Sequence, residues 1–319
     1  MARELVLKEG EVDTRGIVAI NRQTFKVKLQ AYLHKPFSFV VFLLICLGTI
    51  LTAAAVMWVL IYTFYRGLVN IDPVTGAASF NLTADLFAWR WTLENNSMMP
   101  ALINTLTIAF LSLLIAGVIG VFAAIFMVEY AKSTNVFVKI VRVAAETLSG
   151  IPSVVFGIFG MIFFVGLFGW GYSLLSGILT MTLMIMPLIM RTTEEALRAV
   201  PDSFREGSYA LGAGKLRTIF AIILPSAIPG IISGVILGLG RVVGETMALV
   251  FTAGSPMNAR TASGLMESGS TLTVYLYNLT NESGELANVA WAVAVVLIIL
   301  VLIINGIAEF IGNKLKKEY

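Results

Sequence analysis

Long apolar runs separated by short polar stretches organise this chain. Residues 37–62 and 101–128 each exceed 20 positions without a single charge, and about 20 apolar residues are what a helix needs to cross a hydrocarbon core of about 30 Å. Residues 147–190 are equally uncharged but, at about 1.5 Å per helical residue, are roughly two crossings long. The cluster GLFGWGYS at 166–173 supplies a turn near the middle of that run. Two helices are therefore predicted there, the first beginning near Val143. Residues 226–253 and 287–308 complete the pattern, and the former carries Arg241 and Glu245 inside it. The expectation is an all-α membrane protein of six transmembrane helices with both termini on the same side.

Composition supports that reading, with 58% hydrophobic and only 13% charged residues where soluble domains carry about 25% charged. The placement of Lys and Arg then sets orientation. With the termini inside, 18 of the 22 fall in segments 1–36, 129–142, 191–225 and 309–319, against Arg66, Arg90 and Arg260 outside. Short loops rich in positive charge stay in the cytoplasm, so cytoplasmic termini in the cell membrane are expected. This divides the chain into a basic cytoplasmic segment 1–36, a first transmembrane helix 37–65, an external loop 66–100, a core of five helices over 101–311 and a cytoplasmic tail 312–319. Residues 15–35 are basic with interspersed apolar positions, suited either to an anionic lipid surface or to an ordinary positive-inside flank. The first 36 residues are too polar and charged for a signal peptide and are read as retained. One cysteine, Cys46, and one histidine, His34, provide neither a disulfide framework nor a His/Cys metal cluster.

The cytoplasmic loop 191–225 holds the most structured polar signal. Ser203 and Glu206 have capping-box spacing, in which the hydroxyl accepts from the Glu206 N–H and the carboxylate returns to the Ser203 N–H. Gly212 suits the left-handed position that closes a helix, so a two-turn helix over 203–212 is predicted. Phe204 and Leu211 share one of its faces, with Gly207 and Ser208 between them. Two turns are too few to be stable alone in water. Such a helix rests either on its own membrane domain or against another protein. A phosphate-binding loop is not available here, because Tyr209 stands where its first glycine belongs and Leu216 where its Ser or Thr belongs.

Charge at membrane depth is costly and normally faces a cavity or a partner. Arg241 and Glu245 are spaced i,i+4 and are expected to pair on one helix face. Gly230, Gly234 and Gly238 on the same helix, with Gly240 and Gly244, allow close approach of another helix. The pair either locks helix packing or presents a guanidinium able to contact an oxyanion through two hydrogen bonds. Arg191 is expected at the start of the cytoplasmic loop and Glu146 a few residues into the third span.

The loop resembles the EAA loop of ABC-importer permeases: Glu206-Gly207-Ser208, three residues, Gly212, nine residues, then Ile222-Ile223-Leu224-Pro225 in register. In that family the short helix is the coupling helix seated in a groove of the cytoplasmic ATPase. The resemblance thus assigns ATPase coupling to Ser203, Phe204, Glu206, Gly207, Ser208, Leu211 and Gly212. Four further motifs, GIPSVVFG (150–157), VEYAK (128–132), RTTEEAL (191–197) and GRVVGETMALVFTAG (240–254), are similar to the phosphate-specific ABC importer permeases, the A subunit in particular. Met247-Ala248 after Gly-Glu-Thr is closer to the sister C subunit, whereas RTTEEAL and the short turn at 166–173 favour A.

That resemblance implies the type I ABC importer (MetI-like) permease fold, with Arg191, Arg241 and Glu245 along the phosphate path. It implies as partners a homologous C-type permease, two copies of a cytoplasmic ATPase, an external phosphate-binding protein, phosphate and membrane lipid, and no nucleic acid. No cofactor is expected on this chain, since ATP and magnesium belong to the partner ATPase, and no catalysis of its own. A permease for another oxyanion such as molybdate or sulfate is the nearest competing reading. A secondary transporter has no need of the EAA register, and an intramembrane hydrolase lacks a nucleophile and base, since no span contains Lys or Asp.

Overall fold

A computed structural model describes residues 36–71, 78–131, 135–256, 262, 264–281 and 285–315. The basic segment 1–35, with His34, and the last four residues lie outside them. Two compact units divide at Tyr62/Thr63. The described part of the first is one apolar helix, α1 (Pro36–Leu68), whose last residues belong to the second.

In the second unit a short hairpin, β1 (Val69–Ile71) and β2 (Ala78–Phe80), is antiparallel with Asn70 opposite Ser79. Helix α2 (Met99–Tyr130) follows, its last turn widened into a π-helix over Phe126–Tyr130. Next come α3 (Val136–Ser149), α4 (Ser153–Leu167) and α5 (Leu174–Ala199). A nine-residue helix α6 (Asp202–Ala210) leads into α7 (Lys215–Gly244), then into the short α8 (Met247–Val250), α9 (Leu272–Thr280) and α10 (Glu285–Leu315).

Among the described residues five helices are long and apolar enough to cross a membrane, and α3 with α4 makes a sixth if the pair is one span. That pair corrects the expectation of a single third helix beginning near Val143. Its two halves are bent by 106° because Pro152 has no N–H to donate and biases Ile151 away from helical backbone. The turn at 166–173 lies where the glycine cluster predicts it, with Gly169 and Gly171 at φ of +69° and +65°. Asn135 caps α3 by accepting from Phe137 N at 3.0 Å, and Ser173 caps α5 by accepting from Ser176 N at 3.2 Å.

Two other boundaries move. Helix α5 runs to Ala199, so Arg191 lies within a helix rather than at the start of a loop. The fifth span ends at Gly244, nine residues before the expected 253, and begins at Lys215. The core between α2, α5, α7 and α8 is filled by Ile108, Met181, Ile185, Ile189, Val243 and Leu249. A second cluster sets Met98, Leu272, Tyr275 and Val293 together, and a third sets Ile125, Val138, Leu197, Ile219 and Ile223 beneath α6. Three glycines of α7 act as their spacing predicts: Gly230 faces Ala196 and Gly234 faces Thr192, four residues apart on both helices, and Gly238 packs on Ile189, whereas Gly240 and Gly244 meet nothing within 4 Å. Close α5–α7 contact follows from absent side chains, the means available where lipid removes the hydrophobic drive between helices.

Candidate functional site

Helix α6 is amphipathic in an unusual way. One face is anchored: Ser208 is buried and its hydroxyl shares a 2.8 Å hydrogen bond with Thr218 Oγ1 at the start of α7. Arg205, three residues earlier on the same face, is 15% exposed and reaches Glu129 Oε1 at the π-helical end of α2, with Nη2 at 2.7 Å and Nε at 3.1 Å. Burial alone lowers the pKa of the Arg205 guanidinium, but the hydrogen bond and charge of Glu129 hold it above its ordinary value. The adjoining face is open. Phe204 is 41% and Leu211 90% exposed, and nothing lies within 4 Å of a Cβ placed on Gly207.

This geometry divides the predicted coupling residues. Phe204, Gly207 and Leu211 form one free face, and Glu206 is exposed beside them. Ser208 does not belong to it, because its hydroxyl bonds inward to Thr218. Ser203 does not cap the helix: Pro201 is the N-cap and makes no side-chain cap bond, so Ser203 lies inside the first turn and the predicted capping box is absent. The proline starts the helix because its fixed φ is compatible with a helix entry. At the other end Gly212 has φ of +82°, Ala213 N donates to Ser208 O at 3.1 Å and Gly212 N to Tyr209 O at 2.9 Å. This is the glycine-closed helix terminus expected at that position.

The intramembrane pair is a correction. Helix α7 ends at Gly244, and Glu245 has extended backbone, φ −78° and ψ 132°. Arg241 and Glu245 therefore do not share a helix face, and no ion pair joins them among the described residues. Glu245 turns toward α8 instead, where Oε1 accepts from Ala248 N at 3.3 Å, while its carbonyl accepts from Thr273 Oγ1 at 2.7 Å. A break in the helix gives Glu245 free backbone and a free N-terminal amide to satisfy, which an i,i+4 count through the break cannot anticipate.

Arg191 and Glu146 are brought together. Arg191 Nε lies 3.1 Å from Glu195 Oε1 and Nη1 lies 3.8 Å from Glu146 Oε1. Beside them Arg142 and Arg198 converge on Glu194 at 2.7 and 2.8 Å. These six charges line a cavity of about 190 Å³ between α3 and α5, and Arg241 does not line it. Glu129, Arg142, Glu194, Arg198, Arg205 and Thr218 escape the sequence reading. Their signal was present: Glu129 and Glu194 lie in the quoted VEYAK and RTTEEAL motifs, and Arg205 precedes Ser208 by three residues.

A bundle of membrane-length helices with a short, outward-facing helix between two of them is the architecture of a multi-pass membrane protein. Residues 116–317 match the family described as binding-protein-dependent transport system inner membrane component. The chain belongs to that family. It is 37% identical over 231 residues, 68% of this chain and 78% of the relative, to the probable ABC transporter permease protein YqgI of Bacillus subtilis. It is 36% identical to the phosphate transport system permease protein PstA of Mycobacterium leprae, over 69% of this chain and 74% of that one. In fold it is similar to a chain of a bacterial ABC transporter involved in import of the acidic polysaccharide alginate, with TM-score 0.62 and 16% identity over 91% of this chain and 100% of that one. The MetNI methionine ABC transporter in an inward-facing conformation gives TM-score 0.55 at 22% identity, over 67% and 94%. The fold is that of the type I importer permeases. Permeases of this class work with ATPase and substrate-binding partners.

Proposed function

We propose that this chain is the permease subunit of an ATP-driven phosphate importer, forming half of the translocation pathway beside a homologous C-type permease. The observation that carries the coupling half of this reading is α6, anchored through Arg205 and Ser208 while Phe204, Gly207 and Leu211 remain uncovered. A free apolar face with a flat glycine position suits insertion into a groove of a cytoplasmic ATPase. The phosphate half draws support from the phosphate permeases among the relatives, one of them matched over 84% of its own length.

Two ATPase copies, an external phosphate-binding protein and cytoplasmic termini in the cell membrane complete the proposal. ATP and magnesium bind the ATPase and not this chain. Arg241 has no carboxylate partner among the described residues, so its planar donors are available to a tetrahedral oxyanion. Arg191, held between Glu195 and Glu146, and Glu245, beside the helix break, are assigned to the same path. Reconstitution of the full complex in liposomes tests the reading. Radiolabelled phosphate should enter only with ATP, and excess sulfate or molybdate should leave uptake unchanged. Uptake without ATP would make the protein a secondary transporter, and preferential uptake of either competitor would replace phosphate as substrate.

A further inference from the structure

We infer that Arg205 is a positioning residue that pins the docking helix to two membrane helices at once, so that displacement of α6 is passed to α2 and α5 together. The inference rests on the coupling role proposed above for α6. It adds which atoms carry the motion.

All five N–H groups of the Arg205 guanidinium are used. Nε and Nη2 donate to Glu129 Oε1, at 3.1 and 2.7 Å. The second Nη2 hydrogen goes to Leu197 O at 3.0 Å, and Nη1 donates to Val200 O at 2.9 Å and Asp202 Oδ1 at 3.1 Å. Leu197 and Val200 belong to the last turn and cap of α5, where helix carbonyls have no partner of their own and the helix dipole is negative. Glu129, whose side chain is 5% exposed, belongs to α2. One cation thus satisfies the open end of one membrane helix and neutralises a buried carboxylate on another, from a third helix.

Three features make this a linkage rather than a surface contact. The pair is largely removed from water, so separating it strands a buried carboxylate at considerable cost. The partner carboxylate sits on a π-helical turn, Phe126–Tyr130, a local widening frequent at functional sites. A second, weaker tie, Ser208 to Thr218, joins the same face of α6 to α7 one turn further on. With one face of α6 held at Arg205 and Ser208, force applied to its open face reaches the membrane helices through these groups.

The test uses the complete complex in liposomes, with Arg205→Lys and Glu129→Gln variants and unmodified protein as control. Lysine keeps the charge but offers three donors instead of five in a planar fork. Glutamine keeps the shape of Glu129 and removes its charge. Phosphate moved per ATP hydrolysed is measured on assembled complexes only, together with the increase in ATP hydrolysis caused by phosphate-loaded binding protein. Both variants should assemble, and transport per ATP in Arg205→Lys should fall by about tenfold, within the range of coupling between distant sites. A merely structural contact would lower the amount of complex without changing that ratio. An unchanged ratio in both variants overturns the inference, and so does failure of both to assemble, which would make the contact a folding element only. If the unmodified complex moves no phosphate, the proposed function fails, and the pin is then read from ATPase stimulation alone.

Discussion

Gly157 is buried in α4 where that helix meets α8, immediately after the break that holds Glu245. A Cβ at this position would lie 2.8 Å from Ala248 Cα, 3.0 Å from Phe251 Cδ2 and 3.3 Å from Met247 O. Two of these three atoms, Ala248 Cα and Met247 O, are backbone and cannot swing aside. Ordinary contact is 3.4–4 Å, so Gly157→Ala must separate α4 from α8 by about 0.6–1.2 Å, enough to forfeit a quarter to a half of each neighbouring dispersion contact. Overpacking of this kind costs about 1–3 kcal/mol. Each kcal/mol lowers Tm by about 2–4 °C in a domain of this size class. The measurement is thermal unfolding of the purified protein in detergent, followed by intrinsic fluorescence, against Gly207→Ala as the control. Nothing lies within 4 Å of a Cβ at Gly207, and alanine is favoured over glycine inside a helix by about 0.5–1 kcal/mol, so the control should be as stable as the parent or more so. Equal Tm values for the two variants would refute the close packing of α4 on α8. Transport should fall in Gly157→Ala as well, because moving α8 disturbs the amide that the Glu245 carboxylate accepts from.

Gly207→Trp should insert and fold normally, since its site is open, yet abolish ATPase stimulation and uptake; normal coupling in that variant removes α6 as the docking element. In a background with Cys46→Ser, a membrane-impermeant thiol reagent should label Trp89→Cys in intact cells and Leu211→Cys only after permeabilisation, both positions being well exposed at 71% and 90%. The opposite labelling pattern overturns the orientation. Because Glu245 bonds to Ala248 N and not to Arg241, adding Glu245→Gln should not rescue the transport lost in Arg241→Gln. Recovery of flux in the double variant would instead restore the ion pair.

The approximate positions of five membrane-length helices were legible in the chain because the bilayer imposes a length and a polarity on each one, and both are local properties. The same holds for the turn at 166–173 and for the helix end at Gly212, where glycine alone tolerates the required φ. The EAA register was legible too, since it is a linear spacing of small residues and a closing Ile-x-Leu-Pro. The sharp bend at 150–152 was missed although Pro152 was in plain view, because an uninterrupted apolar run masks a change of direction. What the fold alone decided are the contacts between residues far apart in sequence. Glu129 meets Arg205 across 76 positions, Arg142 meets Glu194 across 52, and Glu245 abandons Arg241 because α7 stops one residue earlier. Such pairings depend on where helix ends come to rest against one another, a three-dimensional packing outcome that neither periodicity nor charge spacing along the chain encodes.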